Sequence, residues 1–248
     1  MGVHGAGLLF FAGAFAAEVI GTMAGFGAAT ILTPIAACVM DIKAAIAVVA
    51  CFHLFGNASR LIFFGRWVRW KTWAQFGVTG VLCSLLGAAV TARLSSSVVE
   101  LVFGLFLLLY VGLSARESDR LSLPPRPSLL VGGGAVSGFV AGLIGTGGAI
   151  RSACLLVFGL PKEAYLGTSA AIALIVDATR LPVYLAGRFM PGWMGPGLLS
   201  LMVTAFAGAW CGQRLVRRIS STAFRRLVLL LLGLMGLRMA WHGWHGLG

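Results

Sequence analysis

Gly142-Leu-Ile-Gly145-Thr-Gly147-Gly148-Ala149-Ile-Arg151 decides the fold: it is a glycine cluster with an arginine, set inside the otherwise apolar residues 129–159. Glycine has no Cβ, so the backbone at such a cluster can turn, unwind and approach other groups closely. In lipid, irregular backbone is tolerated only where it is buried in protein or lines a cavity. The cluster is therefore the first candidate for a functional site.

The cluster has an earlier counterpart, which a comparison of the chain with itself reveals at an offset of 120 residues. Residues 25–29 align with 145–149, and 57–60 align with 177–180. With small insertions, Gly65-Arg66-Trp67 aligns with Gly187-Arg188-Phe189, and 87–94 aligns with 208–215. The chain therefore divides into a first membrane repeat (1–115), a linker (116–128) and a second membrane repeat (129–248).

The composition places the chain in a membrane. Of its 248 residues, 59% are hydrophobic and 10% charged, so the apolar side chains cannot all be covered in one water-soluble core. The apolar runs are long and continuous, which indicates helices rather than a transmembrane barrel. A net charge of +12 would suggest a nucleic-acid partner in a soluble protein, but most of these basic residues fall in short loops. We expect an all-α polytopic membrane protein with no nucleic-acid partner.

Two of the apolar runs are too long for one spanning helix. The runs cover 7–38, 42–64, 72–92, 97–115, 129–159, 162–186, 193–213 and 222–240. The first and fifth exceed the roughly 20 residues that a span needs, and their glycines divide them into arms 7–22 with 28–38 and 129–142 with 149–159. Each run is either one broken helix that crosses the bilayer or a re-entrant hairpin of two half-helices.

The loop charges favour hairpins. If both runs cross, the sixteen Lys and Arg residues of the loops divide evenly between the two faces; if both are hairpins, twelve collect on one face. Such an excess marks the cytoplasmic side. Hairpins place the linker in the cytoplasm, put both termini outside and make the two halves inverted repeats, the usual arrangement in secondary transporters.

Arg151 is the main candidate for binding a ligand. It follows the glycine turn at the start of a half-helix, whose free N–H groups and dipole attract anions. A cation within the membrane is usually paired, hydrated or in contact with substrate, although an arginine can also extend to the headgroups. The expected substrate-binding set comprises Gly25, Gly27, Thr30, Gly145, Gly147, Gly148, Arg151, Thr168 and Ser169. Its hydroxyls either bind the anion or bond back to the backbone.

A second set of polar residues lies within the apolar runs and is either structural or involved in ion coupling. Asp177 and Arg180 are three residues apart on a helix, so they can pair, and Asn57 and Arg60 are their counterparts in the first half. Arg60 and Arg180 could instead extend to the headgroups. Two further ionisable residues, Glu18 and His53, are candidates for proton coupling, and for His53 a neutral interhelical hydrogen bond is an equal alternative.

The chain has no catalytic signature that we can identify. It contains no nucleophile–base–acid set, P-loop or zinc-ligand spacing, and the glycine cluster lacks the βαβ context of a dinucleotide site. We therefore predict no catalytic residues, no metal and no cofactor, and expect that the chain is not an enzyme.

The glycine motif resembles a known family. Gly-x-x-Gly-x-Gly-Gly-small, followed by a short loop, the helix start Leu166-Gly-Thr-Ser-Ala-Ala and a Gly-Arg loop, is similar to the TauE/SafE family of sulfite exporters. The resemblance covers nearly the whole chain. Three departures stand out: Ala149 replaces a third glycine, Cys154 replaces a proline, and the first cluster keeps only Gly25 and Gly27.

The resemblance implies a transporter of sulfite, sulfonates or related organic anions across the bacterial inner membrane, most often outward, with the two glycine clusters as its centre. The expected partners are a small anion and the lipid bilayer; a proton as coupling ion and a homo-oligomer are left open. The alternative is a membrane scaffold or assembly factor that carries no solute. An intramembrane enzyme is the third hypothesis.

Overall fold

The computed structural model describes residues 3–24, 27–116, 124–192, 194–215 and 221–247. These residues form ten α-helices, one short 3-10 helix and no strand. The helices are α1 (Val3–Ala24), α2 (Ala29–Ala36), α3 (Ile42–Phe64), α4 (Trp70–Arg93), α5 (Ser96–Arg116), α6 (Pro127–Ile144), α7 (Gly148–Val157), α8 (Lys162–Ala186), α9 (Met194–Leu215) and α10 (Ser221–His245), with the 3-10 helix at Gly65–Trp67.

Several helices have the length and composition of membrane spans, which confirms a helical multi-pass membrane protein. In the described part of the chain there are five such spans, namely α3 with the 3-10 helix, α4, α5, α6 and α8. Each exposes large apolar side chains on its outer face, as Leu82 and Leu86 of α4 do. In a membrane this surface is covered by lipid, so it costs nothing to expose.

Both long apolar runs are broken at their glycines, as expected. α1 ends at Ala24 and α2 begins at Ala29; α6 ends at Ile144 and α7 begins at Gly148. Gly27 and Gly145 have φ angles of 90° and 82°, a left-handed conformation that favours glycine. The predicted site residue Gly25 lies outside the described residues.

In both runs the second arm folds back along the first. Near the turn, the Ser137 hydroxyl donates to the carbonyl of Gly147 at 2.8 Å. Further from it, a Cβ on Gly133 would lie 2.5 Å from Sγ of Cys154. The first run shows the same geometry, because a Cβ on Gly13 would lie 3.4 Å from the side chain of Ile35. Each break is therefore a hairpin turn between two helices.

The first arms are longer than the sequence predicts. α1 has 22 residues and α6 has 18, so each rises about 27 Å or more, whereas α2 and α7 have only 8 and 10. α6 begins inside the predicted linker, where Pro127 occupies the first helical turn, a position that suits proline. It also continues through Gly142 to Ile144, because the glycines of α6 lie against α4 and do not end the helix.

Helices from the two halves pack in matching pairs. α4 runs parallel to α6, so closely that a Cβ on Gly138 would lie 2.1 Å from the carbonyl oxygen of Gly80. α9 likewise runs parallel to α1, and Gly208 packs against Glu18 while Gly212 packs against Thr22.

The two remaining pairs join helices that hold the same place in each half, and both are antiparallel. α3 crosses α8, since His53 contacts Asp177 while Phe64 lies beside Gly167. α5 packs against α10 along a seam that includes Gly104 and Gly236.

Cysteine accessibility tests the hairpin arrangement. In a variant whose five native cysteines are replaced by alanine, Val39→Cys reports the α2–α3 loop and Pro161→Cys the α7–α8 loop. If both runs are re-entrant hairpins and the two halves are inverted, these loops lie on opposite faces of the membrane. A membrane-impermeant maleimide should then label only one of the two in right-side-out vesicles and only the other in inside-out vesicles. Labelling of both from the same side would contradict the arrangement.

Candidate functional site

The two hairpin turns meet at the centre of the molecule. The hydroxyls of Thr30, in the first turn of α2, and Thr146, just before α7, lie 2.6 Å apart. Beside them α3 crosses α8, and the amide of Asn57 donates to Oδ2 of Asp177 at 3.3 Å. Asn57 and Asp177 are 120 residues apart, which is the offset of the internal repeat. Residues at corresponding positions in the two halves therefore touch here.

Arg60 ties α3 to α1. Its Nη2 donates to Oε1 of Glu18, its Nε donates to the Thr22 hydroxyl at 3.0 Å, and its Nη1 donates to Oδ1 of Asn57 at 2.8 Å. Glu18 is fully buried and Arg60 is 5% exposed. The sequence left open whether Arg60 extends to the headgroups; the structure instead gives it a buried carboxylate on another helix.

Asp177 joins α3 to α8. Its Oδ1 accepts from Nε and Nη2 of Arg180 at 3.0 and 2.7 Å, which confirms the expected pair. Its Oδ2 lies 2.7 Å from Nδ1 of His53. Arg180 also donates through Nη1 to the carbonyl of Ala141, and the Tyr184 hydroxyl donates to the carbonyl of Gly142 at 2.5 Å. The last turn of α6, just before the break, is thus held by side chains of α8.

Arg151 is buried but has no acidic partner. It is 4% exposed, so it does not reach the headgroups. Its Nε donates to the Ser169 hydroxyl at 2.9 Å. None of the ion pairs among the described residues includes Arg151. A buried guanidinium held by a neutral hydroxyl keeps its positive charge uncompensated locally.

The N-termini of both short helices lie at the same place. The residues that cap them, Ala28 for α2 and Gly147 for α7, provide no side-chain hydrogen bond. The first N–H groups of a helix have no partner within the helix, and they carry the positive end of its dipole. Together with Arg151, these N–H groups can bind an anion.

The charges at the centre do not balance. Besides His53, which is counted here as neutral, the buried ionisable groups considered are three arginines (Arg60, Arg151 and Arg180) and two carboxylates (Glu18 and Asp177), and none of these residues is more than 5% exposed. One positive charge is therefore in excess among the described residues. Burying a charge without a counter-charge is expensive, and more so in a membrane. A bound monoanion would remove the imbalance.

Most of the residues predicted for the site do come together. The residues at the two turns, together with Arg151 and its hydrogen-bond partner, are Gly27, Thr30, Gly145, Gly147, Gly148, Arg151 and Ser169. The adjoining network consists of Glu18, His53, Asn57, Arg60, Asp177 and Arg180. Thr168 is the exception, because its hydroxyl accepts from the backbone N–H of Arg69 at 2.9 Å.

Three residues of the site were missed from the sequence: Thr22, Thr146 and Tyr184. Thr22 lies one helical turn after Glu18, a spacing that could have pointed to it. No three His, Cys, Asp or Glu side chains in the described part of the chain come close enough to share a metal ion.

Comparison with known proteins gives the family. The family model described as "Sulfite exporter TauE/SafE" matches residues 9–239, which include both hairpins and the whole network. The chain belongs to the TauE/SafE family. A probable membrane transporter protein of Sinorhizobium fredii, y4hK, is 26% identical over 185 residues, covering 70% of this chain and 72% of that protein. No solved structure matches. TauE/SafE proteins are membrane transporters rather than enzymes, so the buried network belongs to a transporter.

The Glu18–Arg60 pair makes a stability prediction. Glu18→Gln leaves Arg60 buried without its carboxylate, so we expect the free energy of unfolding in detergent micelles to fall by about 3–5 kcal/mol. Adding Arg60→Gln removes the unpaired charge and should restore part of that loss. The measurement is denaturant unfolding of the purified variants, with Glu163→Gln on the partly exposed start of α8 as the control. A double variant as unstable as the sum of the two single variants would show that the groups do not interact.

Proposed function

We propose that this TauE/SafE protein is a secondary transporter that moves small sulfur-containing or organic anions, of the sulfite and sulfonate type, across the bacterial inner membrane, in the direction of export. The observation that carries the proposal is Arg151, a buried guanidinium in the first turn of α7 that has no ion-pair partner among the described residues. The N-termini of α2 and α7 come together nearby, where Thr30 meets Thr146. The description of the family as a sulfite exporter supports the substrate class.

The chemistry of the site favours an oxyanion. Arg151, the Thr30 and Thr146 hydroxyls and the first N–H groups of α2 and α7 can all donate hydrogen bonds. Sulfite and sulfonates present three oxygens around one sulfur, so donors from several directions can bind them at once. Hydrogen bonds from an arginine to an anion are charge-assisted and stronger than neutral ones. A cation would instead meet the excess positive charge.

The packing supports alternating access between inverted repeats, with the repeats at 1–115 and 129–248. The corresponding helices α3 and α8 cross in opposite directions, and so do α5 and α10. Inverted repeats around a midplane site move by tilting of one half against the other. In this arrangement residues 116–128 form the cytoplasmic linker and both termini lie outside. A homo-oligomer is compatible with the exposed apolar faces.

The site is closed in this structure, and this suits one state of such a cycle. Thr30 is fully buried, while Thr146 and Arg151 are 2% and 4% exposed. An anion can enter only after the hairpins separate from α3 or α8. The Thr30–Thr146 and Arg151–Ser169 hydrogen bonds are the contacts that must open, since both join elements that meet at the site.

Transport by liposomes that contain the purified protein tests the proposal. We expect uptake of labelled sulfite or methanesulfonate, and a loss of at least about tenfold in Arg151→Ala, because a hydrogen bond to a charged group contributes about 1.5–3 kcal/mol. Arg151→Lys keeps the positive charge but loses the planar set of donors, so its uptake rate should lie between those of the wild type and Arg151→Ala.

Arg93→Ala is the matched control, since it removes an exposed arginine at the last residue of α4. It should leave the rate within about twofold, as expected for a surface change. Equal rates for the wild type, Arg151→Ala and empty liposomes toward sulfite, methanesulfonate and acetate would contradict the proposal and favour the scaffold hypothesis.

A further inference from the structure

His53 has one ring nitrogen that the network does not use. Its Nδ1 lies 2.7 Å from Oδ2 of Asp177, and Nε2 has no hydrogen-bond partner among the described residues. The residue is only 4% exposed, so Nε2 is shielded from bulk solvent. Because a carboxylate only accepts hydrogen bonds, Nδ1 carries a proton. In the neutral imidazole Nε2 is therefore a bare acceptor.

Nε2 points at the first hairpin turn. A Cβ on Gly27 would lie 2.3 Å from this nitrogen, so only glycine leaves room for the imidazole. Gly27 has a φ of 90° and leads directly into the N-terminus of α2. Three residues further on, Thr30 meets Thr146 of the second turn. The free nitrogen of His53 therefore faces the place where the two turns meet.

A neutral Nε2 is unsuited to an anion site, because it offers a lone pair where the ligand also offers only lone pairs. Protonation changes this: the imidazolium is a donor at both nitrogens and adds one positive charge. Imidazole is also the side chain that changes charge within the physiological pH range. Its other nitrogen already has the Asp177 carboxylate to stabilise the charged form.

We infer that an anion binding at the two hairpin turns takes up a proton on Nε2 of His53, and that proton and anion cross the membrane together. The inference rests on the proposed function. The proton comes from water on the side where the anion enters: the Nε2 lone pair forms an N–H bond, and that N–H donates to an oxygen of the anion. On the other side both leave, and His53 returns to the neutral form with Nδ1–H still bonded to Asp177.

The ionisable groups around His53 come from α3 itself and from α8, α1 and α7. α3 itself contributes Cys51 and Arg60. α8 contributes Asp177 and Arg180, α1 contributes Glu18, whose carboxylate lies beside Gly56 of α3, and α7 contributes Arg151. α2 has no ionisable side chain.

The other elements that pack on α3 hold their charged groups away from His53. Arg214 of α9 is exposed and stacks on Trp210, Arg66 of the 3-10 helix stacks on Trp67, and Glu100 of α5 pairs with His242. The described groups around His53 thus carry two negative charges against three positive ones, and a proton on His53 raises the excess further. A bound anion offsets the positive charge that this proton adds. The proton and the anion therefore each strengthen the binding of the other.

Positive coupling between proton and anion has a direct consequence for transport. A singly charged anion that moves with one proton carries no net charge. Its direction is then set by the gradients of the anion and of pH, and the membrane potential has little influence. Because the anion binds together with a proton, its binding strengthens as the pH falls.

The test uses purified protein in liposomes that contain the pH dye pyranine, with labelled methanesulfonate added outside. Methanesulfonate stays ionised at every pH used, so any pH dependence comes from the protein. We expect the lumen to acidify by about one proton per anion taken up, and uptake to rise several-fold between pH 8 and pH 6. If sulfite is carried and methanesulfonate is not, sulfite replaces it, with its own titration subtracted.

His53→Gln separates coupling from structure. Glutamine can donate to Asp177 but does not titrate, so the variant should exchange labelled for unlabelled methanesulfonate more slowly than the wild type, at the same rate at pH 6 and pH 8, while proton movement is lost. If His53 were only structural, the exchange that remains would stay as pH-dependent as in the wild type, with about one proton still moving per anion. His245→Gln, at the exposed end of α10, is the matched control and should behave as the wild type.

The outcomes are distinguishable. Wild-type anion flux without proton movement overturns the inference and leaves the proposed function standing, and so does proton movement that persists in His53→Gln. If His53→Gln does not fold, the wild-type proton-to-anion ratio at pH 6 and pH 8 decides alone. Wild-type liposomes that carry neither probe overturn the proposed function itself.

Discussion

The structure depends on one electrostatic constraint: a guanidinium inside a membrane protein needs a counter-charge. Arg60 and Arg180 meet it with Glu18 and Asp177, and these ion pairs, with Asn57 between them, fasten α1, α3 and α8 together. Among the described residues Arg151 has no such partner, and it lies in the first turn of α7, where the helix N-terminus adds positive potential. Three buried arginines therefore face two buried carboxylates, and the proposed transporter would use the remaining positive charge to bind its anion.

The two halves have the same order of helices but differ in the polar side chains at corresponding positions. At the repeat offset of 120, Asp177 corresponds to Asn57, Arg151 corresponds to Ile31, and Ser169 corresponds to Val49. The groups that would hold an anion therefore come mainly from the second half, while the first half provides Thr30 and His53. The proposed anion site is therefore single, although each half contributes one hairpin turn to it.

Local features of the site could be predicted from the sequence, and long-range ones could not. The glycine breaks and the Asp177–Arg180 pair follow from residue type and helical spacing, and the structure contains both. The hairpins were favoured over crossing helices only by the loop charges. The Glu18–Arg60 and His53–Asp177 pairs join residues 42 and 124 positions apart, so they depend on which helices touch. The 120-residue repeat offset was not used to predict contacts, although Asn57 and Asp177, which are separated by that offset, do contact each other. The first arm of the second run was predicted to end at Gly142, whereas Gly138 and Gly142 are packing positions against α4 and the helix continues to Ile144.

The most direct test of the account is to locate a bound anion. Selenite resembles sulfite in shape and charge, and selenium has a strong anomalous signal, so diffraction from crystals grown with selenite would show its position. The account predicts a peak within hydrogen-bond distance of Arg151 and the first N–H groups of α7, next to Thr30 and Thr146. Selenite found only on surface arginines, with Arg151 still bonded to Ser169 and the two turns unchanged, would contradict it.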